Sequence, residues 1–362
     1  MDRFKIVGLF YFVLAVYLST PDALAQAPQF QVTHVSENIG LSHQTVTNVM
    51  RDSRGFLWIS TMDGLNRYDG KRNKIWRHVP GDSTTLSDSF IHAVTEFDDG
   101  SLWIATRNGG FSIMDPATDQ IRHLTHSTND TLPIPETPVN LLYKDASGFL
   151  WAAFFYSQLG HLDRKTGYFT PVILQNSITG EHVESVNSIL EFGDGSFFIS
   201  SYNGLYYIPA TEVRAFRDSP EPGSTIQVRP VIYTVSQPSP NSIYSFLDSN
   251  GNMWVYVLPG GVTRLDPVNI PTAMKESMQS GTVPRQDEMI IEEDGFILHG
   301  HEKGTLKMIN KITGESVEQR IASLENEASG AKVFRDTAGQ IWYGSWGGGL
   351  YLLKKKEGIS LF

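Results

Sequence analysis

The chain has 362 residues, 40% hydrophobic and 19% charged, with 32 Gly, 18 Pro and no Cys. That apolar fraction excludes wholesale disorder, and the lack of Cys excludes disulfides, thiol nucleophiles, Cys-type zinc sites and iron–sulfur clusters. With 29 Lys and Arg against 39 Asp and Glu, the net charge of −10 leaves no concentrated basic face, so nucleic acid is not an expected partner.

At the start of the chain, Arg3 and Lys5 precede an apolar run from Ile6 to Leu18, and Ala23-Leu24-Ala25 supplies the small residues a signal peptidase needs. Residues 1–25 read as a cleaved secretory signal, with the mature chain beginning at Gln26. The apolar run would rise only about 20 Å as a helix, short of the roughly 30 Å bilayer core. No later stretch approaches about 18 apolar residues, so no membrane span is expected in the mature chain.

A tetrapeptide then recurs: Gly55–Trp58, Gly100–Trp103, Gly148–Trp151, Gly195–Phe198, Gly251–Trp254, Gly295–Leu298 and Gly339–Trp342, at intervals of 45, 48, 47, 56, 44 and 44. A β-rich run precedes each copy, as in Val46–Asp52, Val139–Asp145 and Ala331–Asp336. A second strand begins inside it, as in Leu57–Ser60, and a third follows a glycine turn, as in Gly64–Asp69 and Gly349–Leu353. Lys74–Val79 and Gln120–Leu124 suggest a fourth.

Four short strands per repeat make one blade, so the expectation is an all-β fold, a seven-bladed β-propeller with four-stranded antiparallel blades. One closed ring would use residues 26–362 as a single domain. Phe30–Val35 would complete the last blade from the other terminus, with Ile359–Phe362 competing for that place. The longest interval holds a proline-rich stretch from Pro220 to Pro240, read as an excursion with its own strand pair near Ile226–Val235.

Turn chemistry divides the repeats. Copies one, three, five and seven read Asp-x-x-Gly, with Asp52, Asp145, Asp248 and Asp336, where Asp accepts turn N–H bonds and Gly takes a left-handed backbone. Copies two, four and six have Asp directly before Gly (Asp99, Asp194, Asp294), read as a tighter variant. The recurring Trp is expected to be buried between neighbouring blades.

Eight residues before each tetrapeptide Gly stand Thr47, His92, Asn140, Asn187, Ile243, Asp287 and Ala331, near the start of the inner strand. With one acid among seven, this is a hydrogen-bonding rim poor in acid–base pairs. The turns between second and third strands should converge on the same mouth, carrying Met62-Asp63, Arg107-Asn108, Tyr156-Ser157-Gln158, Tyr202-Asn203, Leu258-Pro259, His301-Glu302-Lys303 and Trp346. Aromatic faces beside Asn, Arg and Gln suit sugars, whose rings stack while their hydroxyls need donors and acceptors. The candidate ligand-binding set is therefore His92, Arg107, Asn108, Asn140, Tyr156, Gln158, Asn187, Tyr202, Asn203, His301 and Trp346; taken singly, many read equally as exposed turn residues. Glu292-Glu293-Asp294 read as solvated hairpin charges. The pairs His299/His301 and His123/His126 lack a third ligand nearby, so no metal, cofactor or catalytic residue is expected.

Gly55–Thr61 followed by Gly64–Gly70, echoed by Gly100–Thr106 with Gly110-Phe111 and by Gly339–Gly344 with Gly349–Tyr351, resembles the two-component regulator propeller repeat. That resemblance implies the periplasmic sensor region of a hybrid two-component system, binding oligosaccharide breakdown products. This chain shows no kinase nucleotide box, phosphoacceptor helix or receiver, so it is expected to be a truncated or stand-alone sensor in the periplasm. Two other readings remain open. One is a propeller lyase or hydrolase using Asp63, Asp287 and Glu302; the other is an interaction scaffold whose partner is another propeller or a second copy.

Overall fold

The computed structural model describes residues 27–124, 134–135, 138–155, 158–163, 166–183, 185–201, 204–231, 241–258, 261–265, 271–279, 290–301, 304–321 and 331–356. The expected signal, residues 1–25, and the strand expected at Ile359–Phe362 lie outside them.

Each tetrapeptide opens the second strand of an antiparallel hairpin. In repeat one the strands Val46–Arg51, Leu57–Thr61, Gly64–Tyr68 and Asn73–Trp76 form one four-stranded sheet in sequence order. Repeat two (Ile91–Glu96 to Gln120–Leu124) and repeat six (Ile290–Glu293 to Ser316–Arg320) repeat the arrangement. The last sheet orders Ala331–Arg335, Ile341–Ser345 and Gly349–Lys355, and is completed by Phe30–His34, which pairs in register from Phe30 with Lys355 to His34 with Tyr351. The two ends of the chain are thus hydrogen-bonded into one sheet, with the short helix α1 (Ser36–Ile39) leading into the first repeat.

The middle of the chain departs from the regular pattern. The eight-residue strand Phe169–Asn176 runs parallel to Thr225–Pro230, joining repeats three and four into a nine-stranded sheet. Thr225–Pro230 also pairs antiparallel with Gly204–Ile208, so the proline-rich stretch supplies an outer strand where a separate strand pair was expected; residues 232–240 lie outside the described set. Repeat five shows three paired strands, not four, among the described residues. None of the helices was anticipated: besides α1 these are α2 (Ala210–Asp218), which starts after Pro209 and buries Val213 and Phe216 three residues apart on one face, and α3 (Thr272–Gln279).

The core is divided among the repeats. Trp58 packs with Leu102 and Ile104 of repeat two, Trp103 with Leu150 and Phe154 of repeat three, and Trp151 with Ile189 and Phe197 of repeat four. Phe198 packs with Met253, Trp254 with Ile297, Leu298 with Tyr343, and Trp342 with Val46 and Ile59 of repeat one. In every copy the tetrapeptide side chain faces the next repeat, as expected. Trp58, Trp103 and Trp151 are at most 1% exposed. The innermost strands likewise touch in chain order, and that of repeat seven touches that of repeat one.

The turns correct one expectation. In repeat one, Gly55 N–H donates to the Asp52 carbonyl at 2.9 Å and Asp52 N–H to that of Phe56 at 3.0 Å. Repeat two makes the same two bonds with Phe97 in place of Asp52, and repeat four with Phe192. These turns are therefore not tighter; Phe occupies the Asp position, and Asp99 and Asp194 instead accept from Ser101 and Ser196. Repeat six alone has the shorter loop, with Glu293 paired to Phe296 across Asp294 (φ 50°) and Gly295 (φ 80°), a type I′ geometry.

Candidate functional site

The inner strands of repeats one to five share an irregularity at the rim. Pairing skips Thr47, His92, Asn140, Asn187 and Ile243, the residues eight before each tetrapeptide Gly. A bulge residue leaves the ladder and its side chain is re-aimed. Thr47 Oγ1 donates to the Ile91 carbonyl at 2.6 Å, and Asn140 Nδ2 donates to the Val186 carbonyl at 2.7 Å and to Asn187 Oδ1 at 2.8 Å. The rim thus ties repeat one to repeat two and repeat three to repeat four. In repeat seven the strand pairs without a bulge from Ala331 to Arg335, and Lys332 donates to the Thr47 carbonyl at 2.8 Å. The alignment had pointed at Ala331; the missing bulge is why its neighbour supplies the side chain.

The mouth of repeat two gathers the best-defined cluster. His92 stacks on Phe90 with ring centroids 4.9 Å apart, and the Arg107 guanidinium lies 5.1 Å above the Phe90 ring. Asp88 orients the turn, accepting from the Asn108 backbone at 2.9 Å and from its side chain at 3.1 Å. Burial, reinforced by the charges of Lys332 and Arg107 and opposed by Asp88, pushes His92 down to about 4. It is therefore a neutral imidazole at neutral pH, beside an exposed guanidinium and an exposed amide.

Other expected members do not join this cluster, or lie outside the description. His301 stands 3.9 Å from Glu318, Gln158 is half-buried, and Trp346 is 41% exposed. Tyr156, Tyr202 and Asn203 lie outside the described residues. Sequence reasoning missed Asp88, Phe90 and Lys332; the Asp88-Ser89-Phe90 segment just ahead of the inner strand was the available signal for the first two.

The acidic candidates are engaged or outside the description. Asp63 pairs with Arg77 at 3.0 Å, while Asp287 and Glu302 lie outside the described residues. Asp294 is exposed, as expected, but Glu292 and Glu293 are half-buried and engaged. Glu292 accepts from the Ser249 backbone at 2.7 Å and pairs with Lys311, Glu293 pairs with Arg335 at 2.7 Å, and Asp294 pairs with Lys355. His299 is 1% exposed and is pushed by burial to about 4; its ring centroid lies 5.9 Å from that of His301. No group of three metal-ligating side chains occurs among the described residues. Nor is any described helix long and apolar enough to cross a membrane.

Comparison with known proteins extends this picture. The extracellular domain of the hybrid two component system BT3049 from B. thetaiotaomicron superposes with a TM-score of 0.65 at 18% identity, over 91% of this chain and 42% of that one. The corresponding domain of BT4673 gives 0.64 at 18% identity, over 92% and 44%. A streptogramin B lyase shares the fold at 0.57 and 13% identity, over 90% and 98%. In sequence, 81 residues are 37% identical to histidine kinase P4 of Formosa agariphila, 22% of this chain and 6% of the kinase. The chain thus spans less than half of either extracellular domain and a small part of the kinase. Residues 40–63 match the family model described as two component regulator propeller, and the chain carries that repeat on a β-propeller fold.

Proposed function

We propose that this chain is an exported, non-catalytic sensor propeller of seven blades that binds an oligosaccharide at the mouth formed around repeat two. The observation that carries the ligand is the cluster of Phe90, His92, Arg107 and Asn108. It offers aromatic faces and, at neutral pH, an uncharged imidazole beside guanidinium and amide donors. Seven inter-repeat cores and the cyclic contact of the inner strands support the blade count. The likeness to extracellular domains and the signal-like residues 1–25 support export to the periplasm. Thr47 and Asn140 at the rim are engaged in bonds between strands, and Asp63 is paired to Arg77, which supports binding without catalysis.

Isothermal titration of the purified chain with a panel of plant and host oligosaccharides tests the reading. Saturable binding that weakens at least tenfold in Arg107→Ala, with every glycan recovered unchanged, is expected. Cleaved glycans would favour a lyase or hydrolase. Absence of binding together with a dimer in light scattering would favour the scaffold reading.

A further inference from the structure

The end of the blades away from that mouth holds a cavity of about 1100 Å³. It lies between the hairpin turns of repeats two and three and the flank of α2. Trp103 and Phe149 form its apolar surface, and His161 stacks on Phe149 with centroids 3.9 Å apart and an interplanar angle of 23°. Arg122 and Arg214 line it from exposed positions and make no ion pair among the described residues, while Asp163 and Asp218 contribute carboxylates.

One buried group in this wall is unlike its counterparts. The indole N–H groups of Trp58, Trp151, Trp254 and Trp342 each donate to the Asp six residues earlier, at 2.8–2.9 Å. In repeat two that position is Phe97, whose ring centroid lies 5.5 Å from that of Trp103. Trp103 is 1% exposed and its Nε1 has no acceptor among the described residues. The repeat has kept the donor and given up its partner at the one tetrapeptide Trp that lines this cavity.

We propose that this cavity is a second binding site, taking a neutral pyranose unit whose ring lies on the Phe149–His161 face and whose hydroxyls pair with Arg122, Arg214 and Asp163, against the wall that buries the Trp103 indole. The volume admits more than one sugar ring, being slightly above the roughly 300–1,000 Å³ usual for small-molecule sites. Guanidiniums and carboxylates in the same wall suit hydroxyls, each of which both donates and accepts, better than they suit a ligand of one charge sign. The inference rests on the carbohydrate reading but places this site apart from the mouth.

The test uses maltotriose, cellotriose, xylotriose and mannotriose with the whole chain. The indole N–H resonances are followed by NMR, with Trp103 assigned through Trp103→Phe, and affinities are measured by titration calorimetry. A saccharide is expected to shift the Trp103 resonance, and its affinity is expected to fall at least tenfold in both Arg122→Ala and Arg214→Ala while Arg107→Ala leaves that shift in place. Binding that leaves Trp103 unmoved and is lost only in Arg107→Ala would overturn the cavity site and leave the mouth standing. No saccharide binding at all would overturn both.

Discussion

The turn under Trp151 and the turn under Trp103 have the same backbone and opposite interiors. Asp145 is a buried hub: its Oδ2 accepts from Trp151 Nε1 at 2.9 Å and pairs with Arg217 at 2.8 Å, and its Oδ1 caps the turn N–H groups of Ser147 and Phe149. In repeat two Phe97 fills that hub and nothing among the described residues accepts from Trp103. Repeat four also carries Phe at the hub, Phe192, but there Phe198 replaces Trp and no donor is left over. Polar and apolar hubs therefore alternate around the first repeats, and the seams follow. Glu96, Glu191 and Glu292, at or near the ends of even inner strands, accept from the turn amides of Ser53, Ala146 and Ser249 in the preceding odd repeats at 2.7–2.9 Å. Where two odd repeats meet at ring closure, Arg51 instead reaches Asp336 at 2.8 Å. The lesson is that one turn geometry tolerates either a hydrogen-bonded carboxylate or an aromatic ring, and only the mismatched combination leaves a buried donor orphaned.

The largest effect is expected from removing a polar hub. Asp145→Ala leaves the Trp151 indole without its acceptor and Arg217 with only Glu191, at 3.4 Å, and should cost about 3 kcal/mol, read from urea unfolding. A loss below about 1 kcal/mol would break the contrast between hubs.

Acid should separate the two kinds of repeat. His92 and His299, both in even repeats, sit at about 4 in the folded chain against an ordinary value of 6.5. The unfolded chain binds their protons first, so stability is complete above pH 6.5 and falls as pH drops toward 4. The slope is about 1.4 kcal/mol per pH unit for each, or about 2 kcal/mol each by pH 5. In repeat five, burial pushes Asp248 up, but the bonds from Trp254 and Asn252 together outweigh it and hold the carboxyl below 3.8. Its contribution is lost only at lower pH, as the pH falls through its folded value. Urea titrations at pH 7 and pH 5 check this, and His92→Gln with His299→Gln should flatten the difference.

A matched pair sharpens the comparison at smaller magnitude. Trp151→Phe removes one bond to Asp145, which keeps Arg217 and the turn amides, whereas Trp103→Phe removes a donor that has no acceptor among the described residues, so the first should cost about 1 kcal/mol more than the second. Equal losses would show that the Asp–Trp bond adds nothing beyond packing. The smallest effect is expected at an exposed seam: Glu96→Ala releases Ser53 and should cost about 1 kcal/mol or less in the same assay.

Much of the fold was legible because its signals are local and repeated. The tetrapeptide marked every hairpin, and the alternation of apolar residues around it marked the strands. Phe30–Val35 was recognisable as a closing strand because the last repeat lacked one. A strand near Ile226 was expected, but not its pairing to Phe169–Asn176 and Gly204–Ile208, and none of the helices was anticipated, since their places depend on neighbours distant in sequence. Of the site, His92 was found by repeat alignment, but Lys332 was not, because a one-residue bulge present in repeat one is absent from repeat seven.

The sequence alone was enough to determine the period, the large buried side chain at each repeat, aromatic in all but repeat six, and the side-chain types at the rim, since backbone periodicity and turn chemistry act over a few residues. Which polar groups found partners was decided in three dimensions. The difference between Trp151 and Trp103, and the cavity beside the latter, arise from what stands six residues away across a turn and what the next repeat and α2 bring against it. A hydrogen bond needs both groups placed to within tenths of an ångström, and packing between repeats supplies that placement.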